Sequence, residues 1–256
     1  HKFEVDYCQP FTMRTDHLPF PMPERKHSLN QNWKGLTFMH WEVDPNVLRK
    51  HIPEDLEIEL FDGKAYIGTI PFRMEKVRPR FLPSISLISN FPEFNIRTYV
   101  KKNGKSGVYF LTLDAQSHIT CFYAPLAYGL PYRYAKCKFE KNEEGGYNWH
   151  SKRKEDGVSL KGESISRGPI LQAEKNSLEE FLFERYCLYV YHKGETCRAY
   201  TYHEPWKYRV GEVEIIENSL TDSYNLGIKD IFNPDLVHVS EGVEVLTWNI
   251  KPVGEE

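Results

Sequence analysis

The sequence predicts an α+β domain that is mostly antiparallel β, with a curved sheet and a few short helices. Three observations predict it. Aromatic residues make up 14% of the 256 positions, with 16 Tyr and 15 Phe, and such side chains suit a half-buried pleated surface. Sixteen Gly and 16 Pro break the chain into short runs. Several of those runs meet across turn dipeptides, Asp62-Gly63 being the clearest, and such pairs supply the positive φ of a hairpin turn. No internal repeat, low-complexity tract or linker divides the chain. The expectation is an extended arm over 1–30 followed by a single β-rich domain over 31–253.

The elements follow in order. "HLPFPMPERKHS" places three prolines in five residues and reads as loop. "WKGLTFMHWEV" (33–43) reads as a strand. "DPNVLRKHIP" (44–53) reads as a short helix, with Asp44 as N-cap, Pro45 at the first helical position and Pro53 as stop. Residues 56–72 read as a hairpin about Asp62-Gly63, and 75–90, with Pro79 and Pro83, as a long loop. "FPEFNIRTYV" alternates as a strand that turns at "KNGKSG" (102–107). Residues 108–124 read as a strand pair or a strand running into a short helix. Further hairpins follow, with a turn from Asn142 to Gly146. Ser177 and Glu180 form a capping box, predicting a helix over 177–189. Residues 197–217 and 243–252 read as strands.

Composition excludes several classes. The net charge is −3 and no basic block stands out, which argues against nucleic-acid binding, because phosphate contacts need clustered Lys and Arg. No apolar run approaches the ~20 residues of a membrane span, and no signal-peptide pattern opens the sequence. The five cysteines (Cys8, Cys121, Cys137, Cys187 and Cys197) have irregular spacing and no CxxC. They read as reduced core thiols of a cytoplasmic protein. The ten histidines are scattered without metal-type pairs, so neither a metal nor an organic cofactor is expected.

One row of residues carries chemistry. In 91–100, Phe94, Ile96, Thr98 and Val100 share one face, and Glu93, Asn95, Arg97 and Tyr99 the other. Same-face neighbours on a strand lie about 7 Å apart. The second face either meets water or lines a cavity. In a cavity, Arg97 could hold a carboxylate bidentately, and Glu93 could act as acid or base if burial raised its pKa. His40-Trp41 and His203–Trp206 each set an imidazole near an indole and read as packed aromatics or pocket walls.

The ordered blocks "WKGLTFMHWEVDPNVLRKHIP", "LEIELFDGKAYIGTIPFRM", "FPEFNIRTYV", "GVYFLTLDA", "YGLPYRYA", "FLFERYCLY", "HEPW" and "VSEGVEVLTW" resemble the YqjF-like family, uncharacterised members of the acetoacetate decarboxylase-like superfamily. The resemblance implies a sheet closing as a cone or barrel around a pocket, with the polar face of "FPEFNIRTYV" turned inward. Decarboxylases of the superfamily use a Schiff-base lysine in a Gly-x-Pro-Lys-Lys stretch. The matching stretch here is "GLPYR", with Tyr132 and Arg133 where the lysines would stand. Neither forms an imine. A second departure is Pro125, where members of the family often carry Arg.

The resemblance thus implies a small-molecule ligand, an organic acid or carbonyl compound. Glu93 would be the acid or base, Tyr132 a hydrogen-bond donor and Arg97 the anion anchor, with Asn95, Tyr99, Arg133 and His40 as further pocket residues. A non-catalytic binding module and a scaffold with a filled barrel are the alternatives. Exposed sheet edges would offer a route to a homodimer.

Overall fold

The computed structural model describes residues 13–84 and 89–255. Residues 1–12 of the expected arm and 85–88 of the expected loop lie outside the described residues. Residues 13–28 hold no helix or strand. Met13, Leu18, Phe20 and Met22 pack on Tyr200, Tyr202 and Trp248.

Strand β1 (Leu29–Val43) leads into helix α1 (Pro45–Leu48), whose first turn is capped as expected: the Asp44 carboxylate accepts from the Asn46 N–H at 2.8 Å. Then come β2 (Glu57–Ile58), β3 (Ala65–Pro79), β4 (Phe91–Lys102) and β5 (Lys105–Ala115). Asn103 at φ 50° and Gly104 at φ 74° close the β4–β5 hairpin, because a two-residue turn of this hand needs two positive φ angles. Helix α2 (His118–Tyr128) starts on the Ser117 hydroxyl and stops at Gly129, φ 65°. Strands β6 (Tyr132–Lys141), β7 (Tyr147–Arg153) and β8 (Ser159–Leu171) form a meander. Helix α3 (Leu178–Phe183), β9 (Cys187–His192), β10 (Glu195–Tyr202), β11 (Tyr208–Asn218), α4 (Ser219–Asp222), β12 (Leu236–Thr247) and β13 (Lys251–Pro252) complete the chain. No helix of the described residues is long and apolar enough to cross a membrane.

The strands form one mostly antiparallel sheet; β5 pairs in parallel with β6 and β9. The hydrogen-bonded order β5-β6-β7-β8-β11-β12-β1-β3-β4 returns to its start because β4 also pairs with β5. A second circuit runs β5-β9-β10-β12-β1-β3-β4 and closes the same way. Strands β12, β1, β3, β4 and β5 are therefore common to both. One core collects Met39, Trp41, Phe94, Ile96, Trp149 and Leu160. The other collects Phe38, Phe72, Tyr99, Phe183 and Trp206. Strand β4 sits between them and is buried on both faces, which is why its apolar face does not meet water. Thr98, set among apolar neighbours, spends its hydroxyl on the Tyr66 carbonyl at 2.8 Å.

Three expectations change. Residues 75–79 extend β3 instead of starting a loop; Lys76 takes φ 52° and its N–H is held by the Asn90 side chain. The Asp62-Gly63 turn forms, but beyond the Phe61–Lys64 bridge β2 pairs with β4 instead of β3. Helix α3 ends at Phe183 and not near 189, because Cys187–His192 is taken into the sheet against β10 and β5.

Candidate functional site

Glu93 lies near the start of β4, opposite Ala115 at the end of β5. The parallel pairing of β6 with β5 sets Tyr132 beside Leu113 and so brings its phenol to the same end of the strand. The Tyr132 O–H donates to Glu93 Oε2 at 2.7 Å, and Asn95 Nδ2 donates to Oε1 at 3.4 Å. Glu93 is 2% exposed. Burial pushes its carboxyl up to about 7, against the two hydrogen bonds, which favour the charged form, and Asp114 adds a smaller push upward. Burial likewise holds the Tyr132 phenol well above its usual range, with the Glu93 carboxylate acting in the same sense. The remaining oxygen, Asn95 Oδ1, is buried without a partner.

These groups line one end of a cavity of about 320 Å³, the small end of the range of ligand pockets. Trp33, Phe110, Leu113 and Leu188 supply apolar walls, and Ile119 and Tyr123 of α2 border it from outside. Both helix residues are more than half exposed, which places α2 at the rim. Among the described residues no Lys, Arg or His lines the cavity. A wider, open depression of about 750 Å³ near Lys50, Glu54 and Asp55 is a different kind of surface. There Asp55 accepts from Thr196 at 2.8 Å and pairs with Lys102.

The other expected residues do not line this cavity. Arg97 borders a separate void of about 20 Å³, shared with His203 and Trp206. Tyr99 and His40 form a wholly buried pair, Tyr99 Oη to His40 Nε2 at 2.7 Å. Burial, and then the Arg97 charge, keeps His40 well below its ordinary pKa. Trp41, its sequence neighbour, packs in the opposite core. Arg133 points away from the cavity and pairs with Glu155 and Asp156, each at 3.1 Å. The structure thus brings Glu93, Asn95 and Tyr132 to the cavity, groups Arg97, Tyr99 and His40 apart from it, and leaves Arg133 outside both.

Sequence reasoning missed the cavity walls, and it missed a buried ion pair on the far side of the β4–β5 hairpin. Arg153 Nε meets Asp114 Oδ2 at 2.7 Å and its Nη2 meets Oδ1 at 2.9 Å, with Thr112 as a third partner. Both side chains are at most 2% exposed. The pair ties β7 to β5 behind the strand ends that carry the Glu93 cluster. Among the described residues no group of three His, Cys, Asp or Glu could hold a metal ion.

The chain is similar to known proteins over most of its length. It is 34% identical over 243 residues to the uncharacterized protein YqjF of Bacillus subtilis (strain 168), covering 94% of this chain and 98% of that protein. The acetoacetate decarboxylase of Legionella pneumophila superposes with a TM-score of 0.62 at 14% identity, covering 95% of this chain and 98% of that one. The enduracididine biosynthesis enzyme MppR, in complex with pyruvate, superposes with a TM-score of 0.61 at 12% identity, covering 91% and 93%. At such identities the two structures show a shared fold. Residues 30–244 match the family DUF2071, described as an uncharacterized conserved protein, and with the 34% relative this establishes that the chain belongs to that family.

Proposed function

We propose that the chain binds a small uncharged organic molecule, a carbonyl compound above all, in the Glu93 cavity and exchanges a proton with it through the Glu93 carboxyl. The observation that carries this reading is a carboxyl in an apolar enclosure, bonded by Tyr132 and Asn95 and titrating at about 7. A group with that pKa is present in both protonation states at neutral pH, as a general acid or base requires. Reading the two strand circuits as a barrel-like wall gives the cavity its enclosure. The fold relatives lend support, since one was solved with pyruvate bound and two of the structures that superpose on this chain are described as acetoacetate decarboxylases.

Of the two ligand classes the sequence suggested, the lining favours the carbonyl compound over the organic acid. It offers no cation to balance a carboxylate, and an unpaired buried charge is costly. With no lysine in the lining, chemistry through an imine has no nucleophile here. Binding without turnover is the second reading. It is favoured by the engagement of both Glu93 oxygens, each of which already accepts a hydrogen bond from a neighbouring side chain.

Thermal shift with a panel of small ketones and aldehydes, each paired with a carboxylate of similar size, tests binding. A ligand at a hundred times its Kd adds about 2.7 kcal/mol. Neutral members should stabilise the wild type and their acidic partners should not. NMR in D₂O then follows exchange of the protons α to the carbonyl in any binder. Exchange that is lost in Glu93→Gln while binding persists supports proton transfer. Binding with no exchange in the wild type selects the second reading, and no binding across the panel rejects both.

A further inference from the structure

We propose that the void beside Arg97 is a binding site for one small monovalent anion of halide size, separate from the Glu93 cavity. Arg97 is 5% exposed, and a guanidinium is a cation with five N–H donors and no acceptor. One of its N–H groups donates to the Leu182 carbonyl at 2.8 Å. Its Nε is buried with no partner. The rings of Phe38 and Tyr99, each 5.6 Å from the guanidinium carbon, cover it with apolar surface. No carboxylate of the described residues pairs with it.

The neighbouring polar groups already have hydrogen-bond or ion-pair partners. Arg185, which borders the same void, pairs with Glu59 and donates through Nε to the Phe181 carbonyl at 2.6 Å. The Glu184 carboxylate accepts from the Trp206 N–H at 2.9 Å and from the Tyr186 hydroxyl. His203 has both ring nitrogens against backbone carbonyls, of Glu204 and Arg185. Arg97 therefore remains a buried cation with an unused donor at the edge of an enclosed space, and such a charge calls for a counter-charge.

Size selects the occupant. A water needs roughly 10–15 Å³ of such space, so about 20 Å³ accepts one water-sized or halide-sized body. A carboxylate brings its carbon and the rest of its molecule, for which there is no room. Water would take the free N–H and leave the charge unbalanced, whereas a halide ion answers both. Trp33, Phe110, Leu188 and Thr201 border both this void and the larger cavity, so the anion would sit directly behind the ligand site's wall.

The test uses the whole chain and two probes. Crystals soaked in sodium bromide should show an anomalous peak beside Arg97, and an ordered water there without bromide overturns the proposal. In parallel, unfolding is followed in chloride and in gluconate at equal ionic strength, gluconate being too large to enter. Above its Kd, each tenfold rise in chloride should raise the folding equilibrium constant about tenfold. Arg97→Met should remove that dependence. If this variant does not fold, the wild-type bromide peak together with the wild-type chloride dependence decides. A bromide peak without any chloride dependence means an adventitious ion only and overturns the proposal.

Discussion

Replacing Glu93 by glutamine should change how stability responds to pH. The carboxyl titrates at about 7 in the folded chain against an ordinary 4.5. A raised folded pKa means the native state binds the proton more tightly than the unfolded state. The contribution of Glu93 to stability is therefore fully present below pH 4.5 and is lost as pH rises through 7. A folded carboxyl that titrates one pH unit above the unfolded one loses about 1.36 kcal/mol on ionising. The gap from 4.5 to about 7 therefore corresponds to about 3 kcal/mol, undiminished by solvent because Glu93 is buried. Glutamine keeps the shape and can still accept from Tyr132. Its amide would face Asn95, whose Oδ1 is free to turn and receive it. Urea unfolding of both proteins from about pH 4 to about pH 8 isolates this group, since every other titration is shared. The variant should match the wild type near the acid end and exceed it by about 3 kcal/mol at the alkaline end. Curves that stay parallel across the range would refute the reasoning.

Four further substitutions probe the frame that holds the site. Arg153→Met strands the buried Asp114 charge and should cost about 3–5 kcal/mol in urea unfolding. Adding Asp114→Asn should recover part of that loss. Gly68→Ala would place a Cβ 2.9 Å from His40 Nε2 and 3.5 Å from the Tyr99 hydroxyl. It should cost about 1–3 kcal/mol by overpacking and shift the His40 imidazole resonances. Ser177→Ala removes the hydroxyl that accepts from the Glu180 N–H at 3.1 Å and should lower stability by about 1 kcal/mol, with no change in the pH response assigned to Glu93.

The sequence made the sorting of β4 legible, since alternation alone separates Glu93, Asn95, Arg97 and Tyr99 from Phe94, Ile96 and Val100. It could not show that both sides are covered, because that depends on strands far away along the chain. Bulges hid the walls. In β5 the register against β4 slips between Ile96 and Arg97, leaving Leu111 unopposed, so Phe110 and Leu113 reach the same cavity three residues apart. In β1 Gly35, at φ 66°, accompanies a shift that lets Trp33 share a core with Leu36 and Phe38. A strict period of two assigns each of these pairs or trios to opposite faces. Arg153 was hidden differently: "HSKR" has the look of a solvated run, and its partner Asp114 stands 39 residues earlier. The helix expected to 189 was cut short because Tyr189 and Val190 gain more from sheet pairing than from one more helical turn.

The pairing order ends in β13 at one side and β2 at the other, and each is two residues long, with Pro252 in β13. Long, flat, unpaired strand margins invite other chains to add on, which is how soluble sheets become fibres. Here the described sheet offers a newcomer little more than one or two backbone contacts at either margin. Helix α2, with Phe122 and Leu126 exposed, presents more apolar surface to a second copy of the chain than either of these strand ends.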